Sequence, residues 1–88
     1  MIILYSEKFK KHYKCLTKSE KKQFEKKLAL FQENPFYNSL RTKLIKGSKY
    51  LLEFSVNMDI RVIWRFKEDS IVVYLDIGHH DILKEYQN

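Results

Sequence analysis

Hydrophobic positions along the chain change their period once. Residues 2–5, IILY, form an apolar run with the length of a short strand. Ser6 then stands where an N-cap is expected, and Phe9, Tyr13 and Leu16 recur at helical spacing. Thr17-Lys18-Ser19-Glu20 matches a capping box, so a second helix starts there. Its apolar face is Phe24, Leu28 and Phe31, with Ala29 and Leu30 beside them. Asn34-Pro35 ends it, because proline disfavours a helical residue before it and supplies no amide. The tight link between the helices predicts an antiparallel hairpin. After a connector at residues 36–49, apolar residues alternate. Residues 50–56, 60–66 and 71–77 read as three strands joined by hairpin-length loops, Asn57-Met58-Asp59 and Lys67-Glu68-Asp69-Ser70.

Loop lengths set an expected register. Val56 falls opposite Ile60, Phe54 opposite Val62 and Leu52 opposite Trp64. On the other side Phe66 falls opposite Ile71, Trp64 opposite Val73, Val62 opposite Leu75 and Ile60 opposite Ile77. All of these are apolar and share one face, which the helical hairpin must cover. The opposite face holds Leu51, Glu53, Ser55, Arg61, Ile63, Arg65, Val72, Tyr74 and Asp76, with no segment left to cover it. Arg61 then lies between Ser55 and Asp76. The strand ends at Gly78, leaving His79 and His80 at the rim. The expected fold is α+β: a four-stranded, mostly antiparallel sheet with an N-terminal helical hairpin on one face, in the order β-α-α-β-β-β. A short C-terminal helix has room to follow, and residues 1–88 make one domain.

Charge adds a partner class. The net charge is +6, but residues 1–50 hold 13 Lys/Arg against 4 acids and residues 51–88 hold 4 against 7. A basic first half suits a polyanion, either nucleic acid or an acidic protein, and equally suits two solvated helix faces. Nine lysines fall between Lys8 and Lys27, on the outer surface of the hairpin. The one cysteine, Cys15, excludes an internal disulfide and fits a reducing cytoplasm. On its helix it reads as a small buried residue. The N-terminal apolar run is too short for a signal peptide or membrane span, so no membrane partner is expected. His12, His79 and His80 lack ligand spacing, so neither a metal nor a cofactor is expected.

The remaining polar residues fit phosphodiester chemistry. Metal-independent RNA cleavage needs a base for the 2′-OH, cations for the phosphate and an acid for the leaving 5′ oxygen. Arg61 has the planar fork for phosphate, and histidine suits either proton role near neutral pH. Tyr86 could donate a proton or stack on a base. Each has a plainer reading. Arg61 can pair with Asp76 across the strands, His79 and His80 can be a solvated strand end, and Tyr86 can pack on the helices.

DIRVIWRF (59–66) and DIGHHDILKEY (76–86), with the helix stop at Asn34-Pro35 and the LIKG connector, resemble the RelE/ParE toxin superfamily of bacterial toxin–antitoxin systems. The likeness covers nearly the whole chain, and the tail is similar to that of YafQ-like toxins. The resemblance implies a cytoplasmic endoribonuclease that cuts mRNA on the ribosome and is held inactive by an acidic antitoxin. It implies that Arg61 binds phosphate, that His80 is general acid or base with His79 beside it, and that Tyr86 positions a base or donates a proton. Asp59 matches an aspartate functional in YafQ-like toxins. Lys43, Lys46, Lys49 and Arg65 are the RNA-binding cations expected nearby. The chain departs from the pattern at Glu53 and Ser55, where RelE-like toxins carry lysines and YafQ-like ones a histidine. Two alternatives stay open: a ParE-like toxin that inhibits DNA gyrase, and a catalytically weakened member that acts only by binding.

Overall fold

The computed structural model describes residues 1–87. Strand β1 (Ile2–Tyr5) leads into α1 (Glu7–Tyr13), whose first turn is capped by Ser6 accepting the Phe9 amide at 3.0 Å. Helix α2 (Lys18–Glu33) opens with a complete capping box. The Glu20 amide donates to Thr17 Oγ1 at 3.1 Å, and the Thr17 amide donates to Glu20 Oε1 at 2.8 Å. The helix stops at Asn34, which is extended in front of Pro35. Then come a 3-10 turn (Asn38–Leu40), β2 (Lys43–Leu44), β3 (Leu52–Ser55), β4 (Ile60–Glu68) and β5 (Ile71–His79). A C-terminal 3-10 turn (His80–Glu85) follows. No helix among the described residues is long and apolar enough to cross a membrane.

The sheet has five strands in the order β1-β5-β4-β3-β2, with β1 parallel to β5 and the remaining pairs antiparallel. The expected four strands are therefore corrected to five. The connector supplies β2, a two-residue edge strand too short to show a period. The helices cover one face through aromatic rings. Phe31 is fully buried, with its ring centroid 4.7 Å from that of Trp64, 5.2 Å from Tyr74 and 5.4 Å from Phe54. Phe24 meets both Phe9 and Tyr13, and so joins the two helices. Cys15 was expected to be buried here; it is exposed.

The β3–β4 register is the expected one, with Leu52 opposite Trp64 and Phe54 opposite Val62. The β4–β5 register is not. The turn is tighter than expected, placing Glu68 opposite Ile71. An extra residue at Lys67 then brings Phe66 opposite Val72 and Trp64 opposite Tyr74. A second irregularity at Leu75 restores the parity, so Val62 meets Ile77 and Arg61 meets Gly78. Each one-residue step sends side chains to the other face. Val72 and Tyr74, expected on the polar face, are thus core residues with no exposure. Val73 and Leu75 are only half-buried, and Phe66 is exposed. Asp76 does not face Arg61; it pairs with Ile63.

The second face is not open along its length either. Ile63 has no exposure there and Ile45, in the connector, has 1%, both outside the main core cluster. The C-terminal turn packs against β4 and β5 and covers part of this face. Phe31→Ala tests the aromatic core. It should cost about 3–5 kcal/mol, read as a lower midpoint in urea unfolding. A loss near 1 kcal/mol would show instead that the surrounding rings collapse into the gap.

Candidate functional site

The cleft on the second face is built from five segments. Strand β3 contributes Glu53 and Ser55, and β4 contributes Arg61, directly opposite Ser55. Lys43, on β2, is the register partner of Glu53 from the other side. His80 and Leu83 enter from the C-terminal turn, and Arg41 from the segment before β2. Together they line a cleft of about 220 Å³. Past Arg41, Ser55 and Arg61 the surface continues into a second hollow of about 330 Å³, bordered by Lys27, Ser39, Asn57 and Met58.

Arg61 is held from behind. Its Nη1 donates to the carbonyl oxygens of Asn57 at 2.8 Å and Met58 at 3.1 Å, and its Nε lies 3.7 Å from Glu53 Oε1. The loop it grips is itself set by Asn57, whose Oδ1 accepts the amides of Asp59 at 2.8 Å and Ile60 at 2.7 Å. Gly78 opposite Arg61 offers no side chain to compete for the guanidinium. The His80 amide donates to the Asp59 carbonyl at 2.7 Å, which places the start of the C-terminal turn against the same loop.

Glu53 is the acid among these cations, and only 5% of its surface is exposed. Burial raises its pKa above the usual glutamate value, and Lys43 and Arg61 offset part of that rise. A carboxyl of this kind can accept a proton closer to neutral pH than an exposed one. Arg41 has φ 53° and ψ 41°, a left-handed conformation that costs a non-glycine residue about 1–3 kcal/mol. Strain held at the mouth of a charged cleft is a mark of a positioned side chain.

The expected site residues divide. Arg61, His80 and Lys43 meet in this cleft. His79 does not; it lines a separate cleft of about 270 Å³ with His12, Cys15 and Leu16, on the side of α1. Tyr86 lies outside the Arg61 cleft, with its hydroxyl donating to Asp76 Oδ2 at 2.8 Å. Asp59 takes part through its backbone. Lys46 and Lys49 are exposed and line neither hollow, and Arg65 sits further along β4, with Nη1 3.3 Å from the Phe66 carbonyl oxygen. Among the described residues, no group of three His, Cys, Asp or Glu side chains could hold a metal ion. Arg41 reads in the sequence as one cation of the basic connector and not as a site residue, and Glu53 reads only as a departure. Glu53 had a readable signal, an acid between Leu52 and Phe54 in a central strand; Arg41 had only its place among the connector's cations.

No protein-family model matches the sequence, and no curated protein is similar to it. The fold does have solved neighbours. YafQ from Escherichia coli superposes with a TM-score of 0.75 at 21% identity, over 92% of this chain and 94% of that one. The YoeB/ParE toxin from Agrobacterium tumefaciens gives 0.75 at 12% identity, over 91% and 99%. The archaeal RelE–RelB complex from Pyrococcus horikoshii gives 0.70 at 17%, over 89% and 92%. These neighbours are toxins of the RelE/ParE superfamily, and what the chain shares with them is the fold.

The burial of Glu53 has a consequence for stability. A carboxyl whose folded pKa is raised helps folding only below its unfolded pKa. That help is lost as pH rises through the folded value, so at neutral pH the ionised group is a cost. Glu53→Gln should therefore unfold at the same or a higher urea midpoint than the native protein near pH 7. The two should converge toward about pH 4, where Glu53 is protonated. A variant that is less stable near pH 7 would show that the pairing with Arg61 and Lys43 outweighs burial.

Proposed function

We propose that the protein is the toxin of a toxin–antitoxin pair and that it cleaves mRNA on the ribosome by metal-independent acid–base chemistry. The observation that carries the reading is the convergence of Arg41, Lys43, Arg61, Glu53 and His80 on one cleft. A phosphodiester needs these three kinds of group together, and the shared fold with toxins supports the biological setting.

The geometry supports the following roles. The scissile phosphate sits against Arg61, whose fork is fixed by the loop carbonyls, with Arg41 and Lys43 adding charge. Glu53 accepts the proton of the 2′-OH. The 2′ oxygen then forms its bond to phosphorus, and the bond from phosphorus to the 5′ oxygen breaks. Protonated His80 gives its proton to that leaving oxygen. The products are a 2′,3′-cyclic phosphate and a 5′-OH. Arg61 also offsets part of the Glu53 charge in the free protein, and an incoming phosphate that shares its guanidinium would leave the carboxylate a stronger base. In this reading Glu53 replaces the basic residue that the sequence resemblance leads one to expect on this strand.

The partner is an acidic, partly disordered antitoxin that folds on the toxin as it binds. Three of the solved neighbours are complexes, one of RelE with RelB and two of DinJ with YafQ. The lysine-rich faces of α1 and α2 offer complementary charge.

The test is mRNA cleavage in a translating extract, mapped by primer extension. Native protein should produce discrete cuts. Arg61→Ala, His80→Ala and Glu53→Gln should each lower the rate by roughly 10²–10⁴-fold. Arg41→Gly should remove one charge and relieve the backbone, giving a folded protein with weaker cleavage. If native protein makes no cuts and inhibits purified gyrase, the ParE-like alternative replaces this one. If all four variants cut like native protein, the cleft is not the catalytic centre.

A further inference from the structure

Asp76 is a fully buried carboxylate and has no part in the cleft. Its partners come from three parts of the chain. His12 Nδ1, on α1, lies 2.6 Å from Oδ1, and the Ile77 amide donates to the same oxygen at 2.8 Å. The Tyr86 hydroxyl donates to Oδ2 at 2.8 Å, and Lys8 Nζ lies 3.5 Å from that oxygen. Lys8 also sits 5.1 Å above the Tyr86 ring and bonds Glu85 at 3.2 Å. The C-terminal turn is thus fastened at both ends. The His80 amide reaches the Asp59 carbonyl at its start, and Tyr86 reaches Asp76 at its finish. Between them Ile82 lies over Gly78, where an added Cβ would come 3.0 Å from the Ile82 side chain.

We infer that Asp76 and Tyr86 are positioning residues that hold the C-terminal turn so that His80 stays in the Arg61 cleft. The Tyr86 hydroxyl is a latch and not a proton donor to substrate. This rests on the function proposed above for the cleft. The hydroxyl donates to a carboxylate that has no exposure, lies beneath an ammonium group and lines no part of the cleft that holds Arg61. A proton donor to a leaving group needs an open path to it, and this one is engaged elsewhere. The His80 amide ties the start of the turn to the loop that Arg61 grips, so loosening the far end frees the near one.

Tyr86→Phe tests this, because it removes the hydroxyl and keeps the ring. Amide hydrogen exchange by NMR should quicken at residues 80–86 by roughly tenfold, the worth of one hydrogen bond, and stay unchanged in β3 and β4. In the translating extract, kcat should fall roughly 10–100-fold with KM little changed, as expected for a catalytic group displaced by about 1 Å. In a His80→Ala background the same change should have almost no further effect, because its action runs through His80. Asp76→Asn should follow the same pattern. Lost cleavage with unchanged exchange would overturn the inference and return the hydroxyl to the chemistry. Faster exchange with unchanged cleavage would overturn it as well, since His80 would not depend on the latch. Should native protein show no cleavage at all, the proposed function fails by itself. Exchange at residues 80–86 then still decides whether the latch holds the turn.

Discussion

Tyr74 and Ile77 both point into the core, although they stand three positions apart. In a regular strand, side chains three apart lie on opposite faces. The sheet resolves this with the extra residue at Leu75, and much of the molecule's second half follows from that one step. It lets the large Tyr74 ring join Phe31, Phe54 and Phe24 while Ile77 still packs near α1. It also turns Asp76 away from Arg61. Because β1 ends at Tyr5, the second half of β5 has a free edge there, and α1 lies along it. Ser6 marks the change, its amide donating to the Tyr74 carbonyl and its hydroxyl to that of Leu75. Asp76 therefore meets His12 and Lys8 on α1, and a buried carboxylate is tolerable only with such donors around it.

Moving Asp76 away leaves Arg61 with a glycine opposite and Glu53 beside it. A cross-strand pair of Arg61 with Asp76 would have neutralised the guanidinium and closed the face. In the actual register, Arg61 binds neutral loop carbonyls on one side and a half-compensated carboxylate on the other. Arg61 is held in place by its bonds to the loop, and Glu53 keeps a raised pKa beside two cations, a perturbation of the kind that clusters at functional sites. The strained backbone at Arg41 has the same character.

How much of this was legible depended on the distance over which each feature is encoded. Helix caps are local: Ser6, Thr17 and Glu20 act within three residues, and all three perform as their sequence suggested. The β3–β4 register was also readable, because Asn57 closes its loop with its own side chain and the polar residues Glu53, Ser55, Arg61 and Arg65 fix the parity of both strands. The β4–β5 register was not. The segment Ile71-Val72-Val73-Tyr74-Leu75 is apolar at every position, so alternation gives no parity, and two one-residue irregularities leave no mark in composition. Packing of Phe31 against Trp64 and Tyr74 decides it, and that is a long-range fact. The cleft inherited the same limit. Arg61 and His80 were found from their neighbours in sequence, whereas Arg41 and Glu53 matter only through strands that meet far from them in the chain. His79 and His80, adjacent in sequence, line different clefts for a local reason that was visible only in part: the strand runs one residue past Gly78 before the turn begins.

Positive charge in the molecule does two separate jobs. Lysines along α1 and α2 are mostly exposed, and few are tied. Lys8 reaches Asp76 and Glu85, Lys10 reaches Glu7, and Lys27 donates to the Ser39 carbonyl. Exposed ammonium groups on long stems create a field that gathers a polyanion from a distance, and salt screens it within about 10 Å. Most of them do not fix a geometry, since an exposed ammonium on a flexible stem stays hydrated. Arg61 is the opposite case: a planar fork with several bonds to the backbone, mostly removed from water, one strand away from a carboxyl. Its charge acts over a few ångströms and in one direction. A sequence that is +6 overall would attract many anions by its helices alone. In the proposed function, what selects among them is the short array of groups on the second face, to which the C-terminal turn brings His80. Selection would then rest less on the abundant lysines than on the proposed latch at Asp76, a buried aspartate that lines no part of the cleft.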